Sequence, residues 1–168
     1  MNSENYDWSS FCLRISINTD WSRIYRACAT QQGLEKWFLR DAKFVNTYDE
    51  KRKKTEFIHT GDTYKWLWHG YNDDIFENGT ILEANGTDII KFTFSGGSTV
   101  TIQLKSEDGI AVVELWQEGI GLDEESMTKY HVGCLSGWNF YLTNLKSVLE
   151  GGLDLRNKNN RVKEVINS

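Results

Sequence analysis

Between Asp123 and Gly151 the chain carries one apolar stripe longer than any other regular pattern in it, and that stripe dictates what the remaining residues must supply. At 100° per residue Met127, His131, Cys134, Trp138, Leu142, Leu145 and Leu149 fall within about 40° of one direction. Asp123 reads as the N-cap with Ser126 at N3, Leu122 as a staple onto Met127, and Gly151-Gly152 as the stop. The predicted helix runs for roughly 28 residues, about 40 Å, with a single face to bury. Only a large concave sheet covers such a face along its whole length.

The rest of the sequence reads as that sheet. There is no proline among the 168 residues, where average usage of about 5% predicts roughly eight. Turns therefore fall to Gly, Asn and Asp, at "YNDD", "ENGT", "EANGTD", "SGGS", "SEDG" and "EGIGLD". Spaced every ten residues or so between short alternating runs, they predict an antiparallel meander. A first strand is predicted at "FCLRISIN", then two short helices, "DWSRIYRACA" with Thr19 as N-cap and "QQGLEKWF" with Thr30 as N-cap. Strands follow at about 40–46, 54–58, 62–70, 76–84, 88–95, 98–105 and 110–118. The chain reads as one α+β domain over residues 1–152, a curved antiparallel sheet of six to seven strands against the long helix, followed by a polar tail over 153–168.

Composition narrows the function classes. A net charge of −5 disfavours nucleic acid or an anionic membrane as main partner, since phosphate binding needs a concentrated basic face. The "KRKK" run, Lys51 to Lys54, reads as a solvated turn between strands, with an anion-contacting patch as the alternative. Cys12, Cys28 and Cys134 have neither metal-ligand nor redox spacing. The three dispersed histidines give no metal site, and no cofactor or catalytic residue is predicted. No basic n-region opens the chain and no 18 apolar residues run together, so the expectation is a cytoplasmic protein without a membrane span.

The aromatic count, 8 Phe, 7 Trp and 7 Tyr, is high, and it says that something wide is being filled or lined. In "TYKWLWHG" the residues Tyr64, Trp66 and Trp68 share one side of a strand. Phe92 with Phe94, and Val113 and Leu115 with Gln117, form further same-face sets. Facing the stripe residues Met127, His131, Cys134 and Trp138, they are the candidate lining of a cavity, the alternative being plain core. Gln117 reads either as a ligand hydrogen bond or as an internal one. His131 reads as a core histidine bonded to a sheet side chain such as Tyr64 or Gln117, or as a donor that orients a ligand.

A strand, two short helices, an antiparallel sheet and one long C-terminal helix, in that order, resemble the helix-grip fold of START-like (SRPBCC, Bet v 1-like) proteins. Within it the chain is similar to the family named after the activator of Hsp90 ATPase, the AHSA1-like proteins. The resemblance is carried by "LEKWF", "GDTYKWLWHG", "ENGTILEANGTDIIKFTF", "VVELWQEGIG" and "HVGCLSGWNFYLTNLKSVLEGG", from about residue 10 to 152. It implies a cavity between sheet and helix, used across the superfamily for lipids, sterols and polyketides. The leading expectation is a non-catalytic binding protein for a small apolar or aromatic ligand. The alternatives are a chaperone-interacting module and a cavity enzyme of cyclase or hydrolase type, for which His131 and Gln117 are the nominees. The tail is expected to be an extra helical turn, a frayed end or a homodimer contact.

Overall fold

The computed structural model describes residues 6–167. The first five residues of the segment read for a targeting signal, and Ser168 of the tail, lie outside the described residues. Strands β1 (Ser10–Ile17), β2 (Asp41–Val45), β3 (Thr63–Leu67), β4 (Phe76–Ala84), β5 (Ile89–Phe94), β6 (Ser98–Glu107) and β7 (Ile110–Glu118) form one antiparallel sheet in the order β1-β7-β6-β5-β4-β3-β2. Helices α1 (Trp21–Ala29) and α2 (Gln31–Trp37) fill the crossover from β1 to β2. A continuous helical run of 26 residues closes the domain: α3 (Glu124–Ser126), a π-helical stretch (Met127–Val132) and α4 (Gly133–Leu149). This is the α+β helix-grip architecture.

Alternation sets which side chains face the helix. Phe11 lies opposite Gln117 across the β1–β7 pair, Val100 opposite Gln117 across β6–β7, and Phe92 opposite Val100 across β5–β6. Every one of these is buried, with Trp66, Ile81, Ile102, Leu115, Trp138, Leu142 and Leu145. The "SGGS" hairpin turns through Gly96 and Gly97 at positive φ, and a Cβ on Gly96 would come within 2.5 Å of the Tyr130 ring. Glycine there lets the hairpin tuck beneath the start of the long helix.

Capping follows the sequence at two of three sites. Thr30 Oγ1 accepts from the Gly33 amide, and the Asp123 carboxylate accepts from Ser126. For α1 the N-cap is Asp20 rather than Thr19, with no side-chain cap bond, while the Thr19 hydroxyl accepts from Arg23. The staple is absent as well, because Leu122 is 67% exposed.

Residues 54–58 are not a strand. The Ile58 amide donates to Ala29 O, Lys54 O accepts from Gln32, and Phe57 packs on Tyr25 with Arg26 above its ring, so this segment spends its backbone and side chains on α1 and α2. Within the "KRKK" run, Lys51, Lys53 and Lys54 are exposed, but Arg52 is held by Asp62, which is 1% exposed. That carboxylate also accepts from the His59 amide, and the pair fixes the loop leading into β3.

The tail is docked at its root. The Arg156 guanidinium donates to Leu39 O and Glu35 O, each at 3.0 Å, and is paired with Asp154. Asn144, fully buried on α4, donates to Trp37 O and accepts from the Leu155 amide. Together they satisfy carbonyls at and beyond the C-terminal end of α2, which a short helix otherwise leaves bare.

Candidate functional site

Where Trp138 of α4 meets Phe92 and Phe94 of β5, with Trp66 of β3 beside them, aromatic rings nearly fill the space between helix and sheet. What is left is a small void of ≈ 10 Å³, bounded by Trp37, Phe38, Trp66, Phe92 and Trp138 together with Cys28 and aliphatic side chains. That is room for about one water. Toward the surface lies an apolar recess of ≈ 70 Å³ between Phe38, Trp68, Phe94, Cys134, Gly137, Trp138 and Tyr141. Trp68, Gly137 and Tyr141 also border a wider cleft of ≈ 440 Å³, whose other walls include Tyr71, Ile75, Phe140, Val165 and Ile166. The recess lies between the other two, sharing only Phe38 and Trp138 with the void and Trp68, Gly137 and Tyr141 with the cleft.

Ring geometry holds this wall together. Phe38 lies 4.8 Å from Trp138 and 4.8 Å from Tyr141, with edge contacts to Trp66 and Trp68. Phe38 follows α2 directly, so the Asn144 and Arg156 bonds to Trp37 O and Leu39 O fix the backbone on both sides of it. On the helix side the opening exists because α4 has no side chain at Gly137. A Cβ there would meet nothing within 4 Å.

A buried polar chain runs along one wall. Trp138 Nε1 donates to Gln117 Oε1 at 3.0 Å, Gln117 Nε2 donates to Ser98 Oγ at 3.0 Å, and Ser98 donates to Ser95 O. Gln117 is therefore bonded internally. Ser95 Oγ donates to Glu77, a half-buried carboxylate opposite Trp66 in the β3–β4 register. Burial pushes Glu77 above the usual carboxylate range, the Ser95 bond opposing it. Burial likewise raises the Tyr64 and Tyr141 phenols, and the thiols of Cys134 and Cys28, the last to about 12. Those thiols are poor nucleophiles as a result. Among the described residues no three His, Cys, Asp or Glu side chains cluster as a metal site.

The residues expected to line a cavity separate into groups. Trp66, Phe92 and Trp138 border the void; Trp68, Phe94, Cys134 and again Trp138 border the recess. Tyr64 stacks on Trp66 at 3.8 Å and donates to Thr93 O, while Val113 and Leu115 are buried sheet core set apart from both spaces. Met127 is half-buried. His131 is 1% exposed, yet its partners are neither Tyr64 nor Gln117: Nδ1 bonds Trp8 O at 2.9 Å and Nε2 bonds the Tyr6 hydroxyl at 2.7 Å. Tyr6, Trp8 and Phe11 surround the imidazole edge-on. The π-helical stretch explains the difference, because i→i+5 bonding turns the chain less per residue than the 100° count assumes. The start of the stripe is thereby rotated toward the N-terminal segment.

Sequence reasoning passed over Phe38, Tyr141, Gly137 and Glu77 as site residues. Phe38 carries a signal, since in "QQGLEKWF" it falls on one helical face with Leu34 and Trp37; Gly137 carries none, because an absent side chain leaves no pattern.

The family model described as Activator of Hsp90 ATPase homolog 1-like protein matches residues 18–150. No curated protein sequence matches the chain. Among solved structures, protein SSP2350 from Staphylococcus saprophyticus is 20% identical over 88% of this chain and 96% of its own, with a TM-score of 0.66. The Aha1 dimer from Colwellia psychrerythraea, a solution structure, is 18% identical over 85% of this chain and 97% of its own, with a TM-score of 0.64. Protein CV1439 from Chromobacterium violaceum is 20% identical over 84% and 98%, with a TM-score of 0.58. These likenesses show the fold. Among the described residues no helix is long and apolar enough to cross a membrane.

Proposed function

The chain belongs to the family of Activator of Hsp90 ATPase homolog 1-like proteins, and we propose that this member is a non-catalytic binding protein that takes a small apolar or aromatic ligand between α4 and the sheet. One observation carries the reading: the aromatic core does not end flush with the surface but continues into an apolar recess and an open cleft, with Phe38 and Trp138 between the recess and the inner void. Apolar concavities with few polar groups are the usual form of small-molecule sites. The void alone is too small for an organic molecule, since a cavity that binds benzene measures about 150 Å³. A ligand therefore enters by displacing Phe38 or Trp138 and joining void to recess.

The raised thiols and the internal bonding of Gln117 favour binding over catalysis. A chaperone-contacting role rests on the family's description alone. The test is Gly137→Leu, which places a side chain in the recess where a Cβ meets no neighbour. Native mass spectrometry of parent and variant, each purified from cells, should find a small molecule retained by the parent and lost from the variant, with melting temperatures alike. Equal retention by both would sink the recess as the route.

A further inference from the structure

Trp66 is 1% exposed, and among the described residues its Nε1 is the one buried side-chain nitrogen or oxygen without a hydrogen-bond partner. Its neighbours in the core show how unusual that is. Trp37 Nε1 donates to Ala27 O at 2.9 Å and Trp138 Nε1 to Gln117 Oε1 at 3.0 Å. An N–H taken from water and given nothing in return opposes folding, and such groups are rare in native interiors. Trp66 also borders the inner void.

Water is a poor occupant for that void. A buried water needs two to four polar partners, whereas the lining is aliphatic and aromatic apart from the Cys28 thiol and the indoles. The N–H groups of Trp37 and Trp138 are already committed. A donor without a partner, on a residue that lines an otherwise apolar space, is complementary to an apolar body bearing a single acceptor.

We infer that Trp66 Nε1–H is a specificity-determining donor, and that the ligand is a small apolar or aromatic molecule carrying one hydrogen-bond acceptor, such as a carbonyl or ether oxygen, on the end that enters first. The inference rests on the binding reading above and adds to it the chemistry of the ligand. Phe38 and Trp138 flank the way in, and Trp66 reads the acceptor at its inner end. Hydrocarbons of the same shape leave the donor unsatisfied and bind less well.

Acetophenone and cumene form a matched pair of probes, alike in shape and differing in the carbonyl. Titrating each into 15N-labelled protein should bind both, with the Trp66 indole N–H cross-peak moving on addition of acetophenone and not of cumene. Trp66→Phe should cut the acetophenone-to-cumene affinity ratio about tenfold, the worth of one hydrogen bond. An unchanged ratio in the variant overturns the inference and leaves the binding reading intact; failure of both probes to bind the parent overturns both. Where Trp66→Phe does not fold, the parent's cross-peak decides. A peak that exchanges with a long-lived internal water and moves with neither probe overturns the donor role.

Discussion

Phe38 and Trp138 meet at 4.8 Å between ring centroids, one from the end of α2 and the other from the middle of α4, and that contact divides the inner void from the outer recess. Removing the Phe38 ring joins the two spaces. Phe38→Ala should cost about 3–5 kcal/mol in urea unfolding, for lost transfer energy and the cavity left behind. The same variant should bind a small aromatic probe more tightly than the parent. A loss of stability with no gain in binding would mean that the void is not part of the site.

Arg156 extends the argument to the tail. Its side chain is 2% exposed and bonded to Leu39 O, Glu35 O and Asp154, so Arg156→Ala strands two carbonyls and takes from the Asp154 carboxylate its guanidinium partner, leaving it Lys158, Asn144 and the residue 156 amide. A loss of about 2–4 kcal/mol is expected. Asp154 supplies the pH dependence. Burial disfavours its charge, but hydrogen bonds from the Arg156 and Lys158 side chains, the Arg156 amide and Asn144 outweigh that, holding its pKa well below the usual carboxylate range. An unfolded aspartate titrates near about 3.9. The Asp154 contribution is thus complete above that value and is lost as pH falls through the depressed folded pKa. Asp154→Asn should cost most at pH 7 and converge on the parent in acid; a constant difference would show that the carboxylate charge is not what docks the tail.

Glu77 titrates in the opposite sense. Burial raises its pKa in the folded protein, so the folded state binds the proton more tightly than the unfolded one, and stability falls as pH rises above about 4.3. Glu77→Gln retains an acceptor for Ser95 and removes the charge. Its urea midpoint should exceed the parent's at pH 7 and match it near pH 4. A variant less stable than the parent at pH 7 would indicate that the ionised carboxylate has a partner of its own.

His131 joins the helix to the N-terminal segment. His131→Phe keeps the ring packing and removes the bonds to Trp8 O and the Tyr6 hydroxyl, at a cost of about 1–3 kcal/mol. Hydrogen exchange should quicken around residues 6–9 while probe binding at the recess stays as in the parent. Lost binding with unchanged exchange would reverse the assignment.

The elements with strict periodicity were legible before any coordinates: β4 to β7 from period-two alternation and turn residues, the helix start from Asp123, the α2 start from Thr30. Trp66, Phe92 and Trp138 were legible as inward-facing. What escaped depends on contacts between distant segments. Residues 54–58 alternate like a strand, but α1 and α2 take their hydrogen bonds. His131 sits correctly on the stripe, but the π-helical stretch turns it toward Tyr6 and Trp8. Arg156 looks like one more charge in a polar tail until the bare carbonyls beyond α2 are in view. The orphaned Trp66 donor is a statement about what is missing around a residue, and no residue spacing records that.

The pairing of β1 with β7 bears on how the chain reaches this state. Ser10 lies opposite Glu118 and Ile17 opposite Ala111, so the first strand waits for the last before it has a neighbour. During synthesis the meander from β2 to β6 can form by local hairpins, while Phe11, Leu13 and Ile15 stay unpaired until β7 has emerged. The long helix follows later still, and with it the cover for Trp66 and Phe92. Pairing between strands so far apart in sequence slows folding relative to a chain held by local contacts. In that interval the apolar edge of β7, with Val113 and Leu115, is the surface most open to a neighbouring nascent chain.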